Sequence, residues 1–431
     1  MSMRRRTVLT APAIYIAIWA IALSSADRLD LAGGHLAFKL TPFLVLSPCY
    51  LAFALMDLVA GRALPQSLLS NRRWLPLIGF VILAGISVIL AQDDFLSLAA
   101  SRYLLLLYLI LFSTTLAIHA SARGTLEQVL SVGSGLGMAL YVLVSVVQLL
   151  GFANPDLQSL LSPGGGAVID LVANYVGGVG FPRLSGLAGD PNRGAVSAAV
   201  FATLYFLFSR RRRRPYWILA LGGVMVLLSW SRTGLVFYAV VLLALLWRHP
   251  KVVPALLAAT LIGVVLATRV FPALNADLQA WSLLEARTSS EDVSTLMHLL
   301  LVEKAITLGF ATDARTSLLG IGYGSEYSVT QDLFPDSKYA NFHSNSLSVL
   351  VQTGVTGLLL FLLYSLLQPL GIGLANGFKG RYAAAGLAAA YFIAGLFYQY
   401  LAEPMFWLVL AVHAVLPRSA TAQDSAPPTS N

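Results

Sequence analysis

The chain has 431 residues, of which 57% are hydrophobic and 11% are charged, and its mean hydropathy is +0.76. Soluble globular domains carry about a quarter charged residues, so this composition excludes an ordinary soluble protein and predicts an integral membrane protein. The net charge of +8 does not indicate nucleic-acid binding, because the basic residues lie between apolar stretches. Cys49 is the only cysteine, which excludes an intrachain disulfide and thiolate metal sites.

Apolar stretches that can form spans of about 20 residues recur along the whole chain. The opening MSMRRRTVLTAPAIYIAIWAIALSS has the basic start of a signal peptide, but LSSADR is a poor cleavage site, so we expect a retained first span. Hydropathy predicts an all-α polytopic fold with about 12 transmembrane helices. The predicted spans are 8–25, 36–60, 74–91, 102–120, 129–151, 194–209, 216–230, 234–247, 252–271, 346–370, 382–400 and 404–416.

The basic residues of the short loops predict the orientation of these spans. With a cytoplasmic amino terminus, the inner loops hold 17 of the 28 lysines and arginines, and the outer loops hold most of the acidic residues. We therefore expect both termini in the cytoplasm. The run Arg210–Arg214 could also be read as a nucleic-acid patch, but an anchor at the inner face of the membrane explains it without a further role.

The stretch from Tyr216 to Trp247 tests this topology. As one helix, its 32 residues would extend about 48 Å at about 1.5 Å per residue, whereas the hydrocarbon core is about 30 Å thick. Basic clusters flank both ends, so we predict a hairpin of two short helices that turns at SRTG. This turn would place Arg232 slightly below the outer surface, where a cation needs an anionic partner.

Two outer segments, 152–193 and 272–344, are longer than the topology requires. Loops of this length are usually functional or disordered. Apolar residues at helical spacing in the second segment predict a large, partly helical loop on the outer side, and these residues are Leu296, Leu299, Leu300 and Ile306. Residues 1–417 are predicted to form a single transmembrane domain. The polar residues 418–431 are expected to be a disordered cytoplasmic tail.

Cationic and amide residues from distant parts of the chain are predicted to share the outer face. They are Arg183, Asn192, Arg193, Arg232, Arg287, His343 and Asn345, and the glycine-rich stretch LLGIGYGSEY precedes the histidine. Singly, each has a structural explanation as a headgroup anchor, a helix start or a turn. Together they are typical of anion recognition, because arginine matches phosphate geometry and glycine turns expose N–H donors. A histidine can also accept a proton near neutral pH.

From Arg183 to Leu363 the sequence resembles the O-antigen ligases and Wzy-type polysaccharide polymerases of bacterial inner membranes. The resemblance rests on RLSGLAGDPNRGA, SWSRTGL, the arginine of LLEARTSS, LLGIGYGS and HSNSLSVLVQTGVTGLL. It implies a GT-C-like, metal-independent glycosyltransferase without a cofactor. The donor would be an undecaprenyl-diphosphate-linked oligosaccharide, and the acceptor a glycan or lipid A-core. Expected partners are the lipid bilayer and other polysaccharide assembly proteins, but no nucleic acid.

The resemblance also implies residue roles. Arg183, Arg232 and Arg287 would bind the diphosphate, and His343 would act as the catalytic base toward the acceptor. Contacts to the sugar or to the substrate are expected from Asn192, Gly322, Tyr323, Ser344 and Asn345.

Two questions stay open within this resemblance. The tryptophan that often follows the loop arginine in relatives is missing after Arg287, which leaves Arg315 in TDARTSLLG as an alternative. The motifs do not separate a ligase from a polymerase. The competing classes are a transporter or flippase of lipid-linked glycan and a membrane scaffold. A transporter usually places ionisable residues deep within its spans, and the predicted spans hold few of them.

Overall fold

The structure is a computed structural model of the full chain. It describes residues 2–31, 40–60, 72–89, 91, 96–161, 174–176, 181–209, 215–246, 249–266, 293–310, 313–333, 341–375 and 381–415. The fold is mostly helical, at 81%, as the sequence predicts. A small antiparallel sheet, which the sequence analysis did not predict, pairs Asn174 with Arg183.

The first half of the described chain forms helices that pack side by side, with the sheet between α6 and α7. Its elements are α1 (Ser2–Ala22), α2 (Pro42–Ala60), a short 3₁₀ turn (Arg72–Trp74), α3 (Leu75–Val88), α4 (Leu96–Ala122), α5 (Leu126–Ala153), α6 (Pro155–Leu161), β1 (Asn174–Val176), β2 (Phe181–Arg183), α7 (Pro191–Phe208), α8 (Tyr216–Leu228) and α9 (Arg232–Leu246).

The second half adds short helices to the bundle. Its elements are α10 (Val252–Val265), α11 (Val293–Phe310), α12 (Ala314–Leu319), α13 (Glu326–Thr330), α14 (Asn345–Leu362), a π-helical turn (Leu363–Leu367), α15 (Gln368–Ala375), α16 (Arg381–Ala394) and α17 (Pro404–Val415). The expectation of a partly helical segment before His343 is confirmed by α11, α12 and α13. The predicted tail, 418–431, lies outside the described residues.

A helix lies at each of the twelve positions that hydropathy predicted. In the described part of the chain, three helical stretches are long and apolar enough to cross a membrane: α4, α5 and Asn345–Gly371, which is kinked at Gly354. Helix α3 exposes Ile78, Ile82 and Ile86, one turn apart, at 48 to 56% of their surface. Such an apolar stripe on the outside of a bundle fits contact with lipid. These features give the chain the character of a membrane protein.

The predicted hairpin is confirmed, because α8 ends at Leu228 and α9 begins at Arg232. Both helices pack against α7. Gly222 on α8 allows this approach, since a Cβ atom there would lie 2.6 Å from the Cβ atom of Ala202 on α7. The turn therefore lies at the end of the bundle where α7 begins.

The span predicted over 382–400 ends early, at Ala394. Asn345 explains this break, because it binds the chain on both sides of the turn that follows. Its backbone N–H donates to the Gly395 carbonyl (2.6 Å), and its side-chain oxygen accepts from the Tyr400 N–H (2.6 Å). Residues 396–398 consequently leave the helix and lie at the end of the bundle.

Candidate functional site

A cavity of about 530 Å³ opens at the end of the bundle where α7, α9 and α14 begin. Five separate parts of the chain supply its walls. The lining residues are Arg183, Asp190, Asn192, Trp230, Arg232, Thr233, Val236, His298, Leu299, Val302, Phe342, His343, Leu396, Phe397 and Tyr398. The structure thus brings together four residues that the sequence singled out: Arg183, Asn192, Arg232 and His343.

Three helix starts surround this cavity. The Asp190 carboxylate caps α7 by accepting from the N–H groups of Asn192 (2.6 Å) and Arg193 (3.2 Å). The Ser231 hydroxyl accepts from the Gly234 N–H at the start of α9 (2.9 Å). The Ser344 hydroxyl caps α14. A helix start carries positive partial charge, which favours a bound anion at the start of α9, whereas the Asp190 carboxylate already occupies this position at the start of α7.

Two arginines add full positive charge to the cavity. Arg183 on β2 is half-buried; its Nε donates to the Ser229 carbonyl (3.2 Å) and its guanidinium to the Asn192 side-chain oxygen (3.4 Å). Arg232 is exposed and is the first residue of α9. Asp190 also lines the cavity while it caps α7, and its formal negative charge offsets one of these two positive charges. The lining therefore suits a phosphate or diphosphate, which arginine binds with two parallel hydrogen bonds.

His343 lies in the segment before α14 and is half-buried. Its backbone is left-handed (φ 49°), and its N–H donates to the Asn341 side-chain oxygen (2.7 Å). The imidazole packs edge-on against His298, with 5.3 Å between the ring centroids. Burial lowers the pKa of His343 below its ordinary 6.5, and His298 lowers it further, although Asp190 opposes this. The ring is therefore neutral at pH 7 and can accept a proton.

Glu326 on α13 fixes the segment that carries His343. Its buried carboxylate accepts from the Phe342 N–H (3.0 Å), the Ser348 hydroxyl (2.9 Å) and the Gln399 amide (3.0 Å), and also from the Gln352 amide. These bonds tie the residue before His343 to α14 and to the turn after α16. Burial raises the pKa of Glu326, and Arg102 opposes that rise.

Comparisons with known proteins do not decide between the readings of this site. No protein-family model matches the chain. No curated protein and no solved structure is similar enough to match it either. The resemblance to O-antigen ligases and polymerases stays a prediction.

Several residues predicted to contact substrate lie outside the cavity lining. Ser344 and Asn345 are buried and hold α14 and the turn after α16. The Gly322 N–H donates to the Gln352 carbonyl (3.2 Å), and the Tyr323 N–H donates to the Ser87 hydroxyl (2.9 Å). The glycine-rich stretch therefore packs against α3 and α14, and the contacts described for these four residues are structural.

Arg287 and Arg315 are the two candidates for the loop arginine that binds the diphosphate. Arg287 lies outside the described residues. The alternative, Arg315, is exposed on α12 and does not belong to the cavity lining. In the described part of the chain, no group of three or more histidine, cysteine, aspartate or glutamate residues could hold a metal ion.

The sequence did not predict Trp230, His298 and Tyr398 as cavity residues, nor Glu326 as the support of the segment that carries His343. A lone histidine in an amphipathic helix, such as His298, more often packs than reacts. Tyr398 was assigned to a transmembrane span. In GSEY, nothing indicates that Glu326 would be buried, because its partners follow 16 to 73 residues later in the chain.

We predict that Glu326→Gln lowers the Tm of the detergent-solubilised protein by several degrees. The amide would present N–H groups to donors that now meet a carboxylate, and an unsatisfied buried group costs about 1–3 kcal/mol. Glu303→Gln on the exposed surface of α11 is the control and should leave Tm unchanged. Equal Tm values for Glu326→Gln and the wild type would show that the carboxylate does not hold this segment.

Proposed function

We propose that this protein is a metal-independent, inverting glycosyltransferase of the bacterial inner membrane. It would transfer glycan from undecaprenyl diphosphate to the hydroxyl of an acceptor sugar, as an O-antigen ligase or a polysaccharide polymerase does. The observation that carries this proposal is the cavity that combines Arg183, Arg232 at the start of α9 and the imidazole of His343. The twelve-span, GT-C-like topology with both termini in the cytoplasm is part of the same proposal.

The charge pattern of the loops supports an outward-facing cavity. The run Arg210–Arg214 follows α7 and precedes α8. The cavity lies at the start of α7 and the end of α8, which is the other end of both helices. Because basic loops stay in the cytoplasm, the cavity belongs on the outer side of the membrane, where lipid-linked glycans are used and nucleotide sugars are scarce.

The cations of the cavity would act on the leaving group. Arg183 and Arg232, with Arg287 as the third expected arginine, neutralise the diphosphate and stabilise the charge that develops as it departs. Asn192 accepts hydrogen bonds from Arg183 and from Ser231, so it keeps Arg183 in register with the start of α9. The apolar lining residues Val236, Leu299 and Leu396 would contact the first isoprene units of the carrier.

His343 would activate the acceptor. The acceptor oxygen attacks the anomeric carbon, its proton passes to the imidazole, and the bond between that carbon and the diphosphate oxygen breaks. The products are the elongated glycan and undecaprenyl diphosphate, with inversion at the anomeric carbon. Because the reaction is a single displacement, one base and one anion site are sufficient.

The alternative of a flippase or carrier requires ionisable groups along a path through the bundle. In the described residues, the ionisable groups that line the cavity lie together at one end of the bundle, and the buried Glu403, which does not line it, is paired with Arg193. The buried Asp57 lies near the far end of α2 and is bound to Arg123 (2.8 Å) and His119 (2.9 Å). This pairing favours a structural role for Asp57.

The proposal is tested by purified protein in liposomes without an ion gradient, supplied with carrier-linked glycan and acceptor. We expect the wild type to transfer glycan and His343→Ala to lose at least about a hundredfold in kcat, since a general base contributes about 10²–10⁴-fold. His249→Ala, at the other end of α9, is the control. If His343→Ala transferred glycan at the wild-type rate, His343 would not be the general base.

Charge reversal tests the anion site separately. We predict that Arg232→Glu raises the apparent donor KM by about 10- to 100-fold, because a hydrogen bond to a charged group is worth about 1.5–3 kcal/mol. Arg315→Glu is the matched control, because it makes the same change at an exposed position outside the cavity lining. If Arg315→Glu alone raised the donor KM, the diphosphate would bind at Arg315 on α12 and not at Arg232.

The pH profile of kcat/KM should report His343. Because the pKa of this imidazole lies below 6.5, the base stays neutral as the pH falls through 6.5, and the acid limb should have its midpoint below that value. His298→Asn removes one cause of the lowered pKa, so the midpoint should move upward toward 6.5. A midpoint above 6.5 in the wild type would contradict the assignment of the base.

A further inference from the structure

Two residues other than glycine adopt a left-handed backbone in the described part of the chain. They are Trp230 (φ 51°) and His343 (φ 49°). This conformation is costly for a bulky residue, and such strain is concentrated at functional sites. Both residues line the same cavity, although they come from different parts of the chain. His343 already has a role in the proposed reaction, and Trp230 has none.

The strained turn at Trp230 is fixed from both sides by cavity residues. The preceding carbonyl, of Ser229, accepts from Arg183 Nε (3.2 Å). The following hydroxyl, of Ser231, donates to the Asn192 side-chain oxygen (2.8 Å). A strained residue persists only where its surroundings over-determine it, and here the surroundings are the anion site. Glycine would adopt this backbone without cost, so the turn alone does not explain an indole at this position.

The indole is partly buried. It packs against the main hydrophobic core and also forms part of the cavity wall. Arg232 follows it two residues later, and Arg183 holds the residue before it. A group attached to a diphosphate that these arginines bind would therefore lie next to the indole.

We propose that Trp230 is the platform for the sugar that is bonded directly to the diphosphate. This inference rests on the proposed function. A pyranose ring has an apolar face of C–H groups, and an indole offers it a broad, rigid, apolar surface. The ligand class is a hexopyranosyl diphosphate on a prenyl carrier. Trp230 would recognise the sugar ring, whereas the arginines would recognise the phosphates.

Three substitutions separate the ring from the backbone. Trp230→Phe keeps an aromatic face, Trp230→Ala removes it and keeps the strain, and Trp230→Gly removes it and relieves the strain. Trp217→Ala is the matched control, because Trp217 is 55% exposed and lies at the other end of α8. The two probes are undecaprenyl diphosphate without sugar and the glycan-bearing carrier extracted from a strain that lacks this protein.

Binding of both probes to the full chain in nanodiscs tests the inference. We expect Trp230→Ala and Trp230→Gly to bind the glycan-bearing carrier about five- to tenfold more weakly, and the sugar-free carrier as tightly as the wild type. Trp230→Phe should keep most of the affinity for both.

Two outcomes would contradict the role of Trp230 as a sugar platform without contradicting the proposed function. Equal weakening for both probes would make Trp230 a support of the anion site, and recovery in Trp230→Gly of what Trp230→Ala loses would make the backbone decisive. If the wild type binds neither probe, the proposed function itself fails, and the platform fails with it.

Discussion

The side-chain oxygen of Asn192 accepts hydrogen bonds from the Arg183 guanidinium and from the Ser231 hydroxyl. This one atom joins β2, the start of α7 and the turn between α8 and α9. Ser231 in turn begins α9 by capping Gly234, so the position of Arg232 depends on the same junction. The positions of Arg183 and Arg232, which form the proposed anion site, thus depend on the side-chain amide of Asn192.

The opposite wall of the cavity depends on a buried carboxylate. Glu326 holds the residue before His343 and two side chains of α14. Asn345, at the first position of α14, ends α16 and directs residues 396–398 into the cavity. Asn192, Glu326 and Asn345 therefore position Arg183, the segment that carries His343 and residues 396–398 around the cavity. Preorganisation of this kind lets a site stabilise charge without rearranging during the reaction.

The sequence predicted the features that follow from global constraints. Bilayer thickness and flanking charges required the 216–247 stretch to fold back near Arg232, and the structure has that turn. Loop charge predicted that Arg183, Arg232 and His343 share one face, and the three residues line one cavity. The roles of Glu326 and Asn345 could not be read in this way, because they depend on partners 16 to 73 residues further along the chain. The backbone of Trp230 was equally hidden, since SWSRTG contains no glycine where the left-handed turn occurs.

The central claim is that a prenyl diphosphate binds between Arg183 and Arg232 within reach of the imidazole. A cryo-EM structure of the full chain in nanodiscs with undecaprenyl diphosphate tests it most directly. The account predicts diphosphate density in the cavity in contact with both guanidinium groups. Carrier density at the other end of the bundle, beside the run Arg210–Arg214, or an empty cavity at saturating carrier, would contradict it.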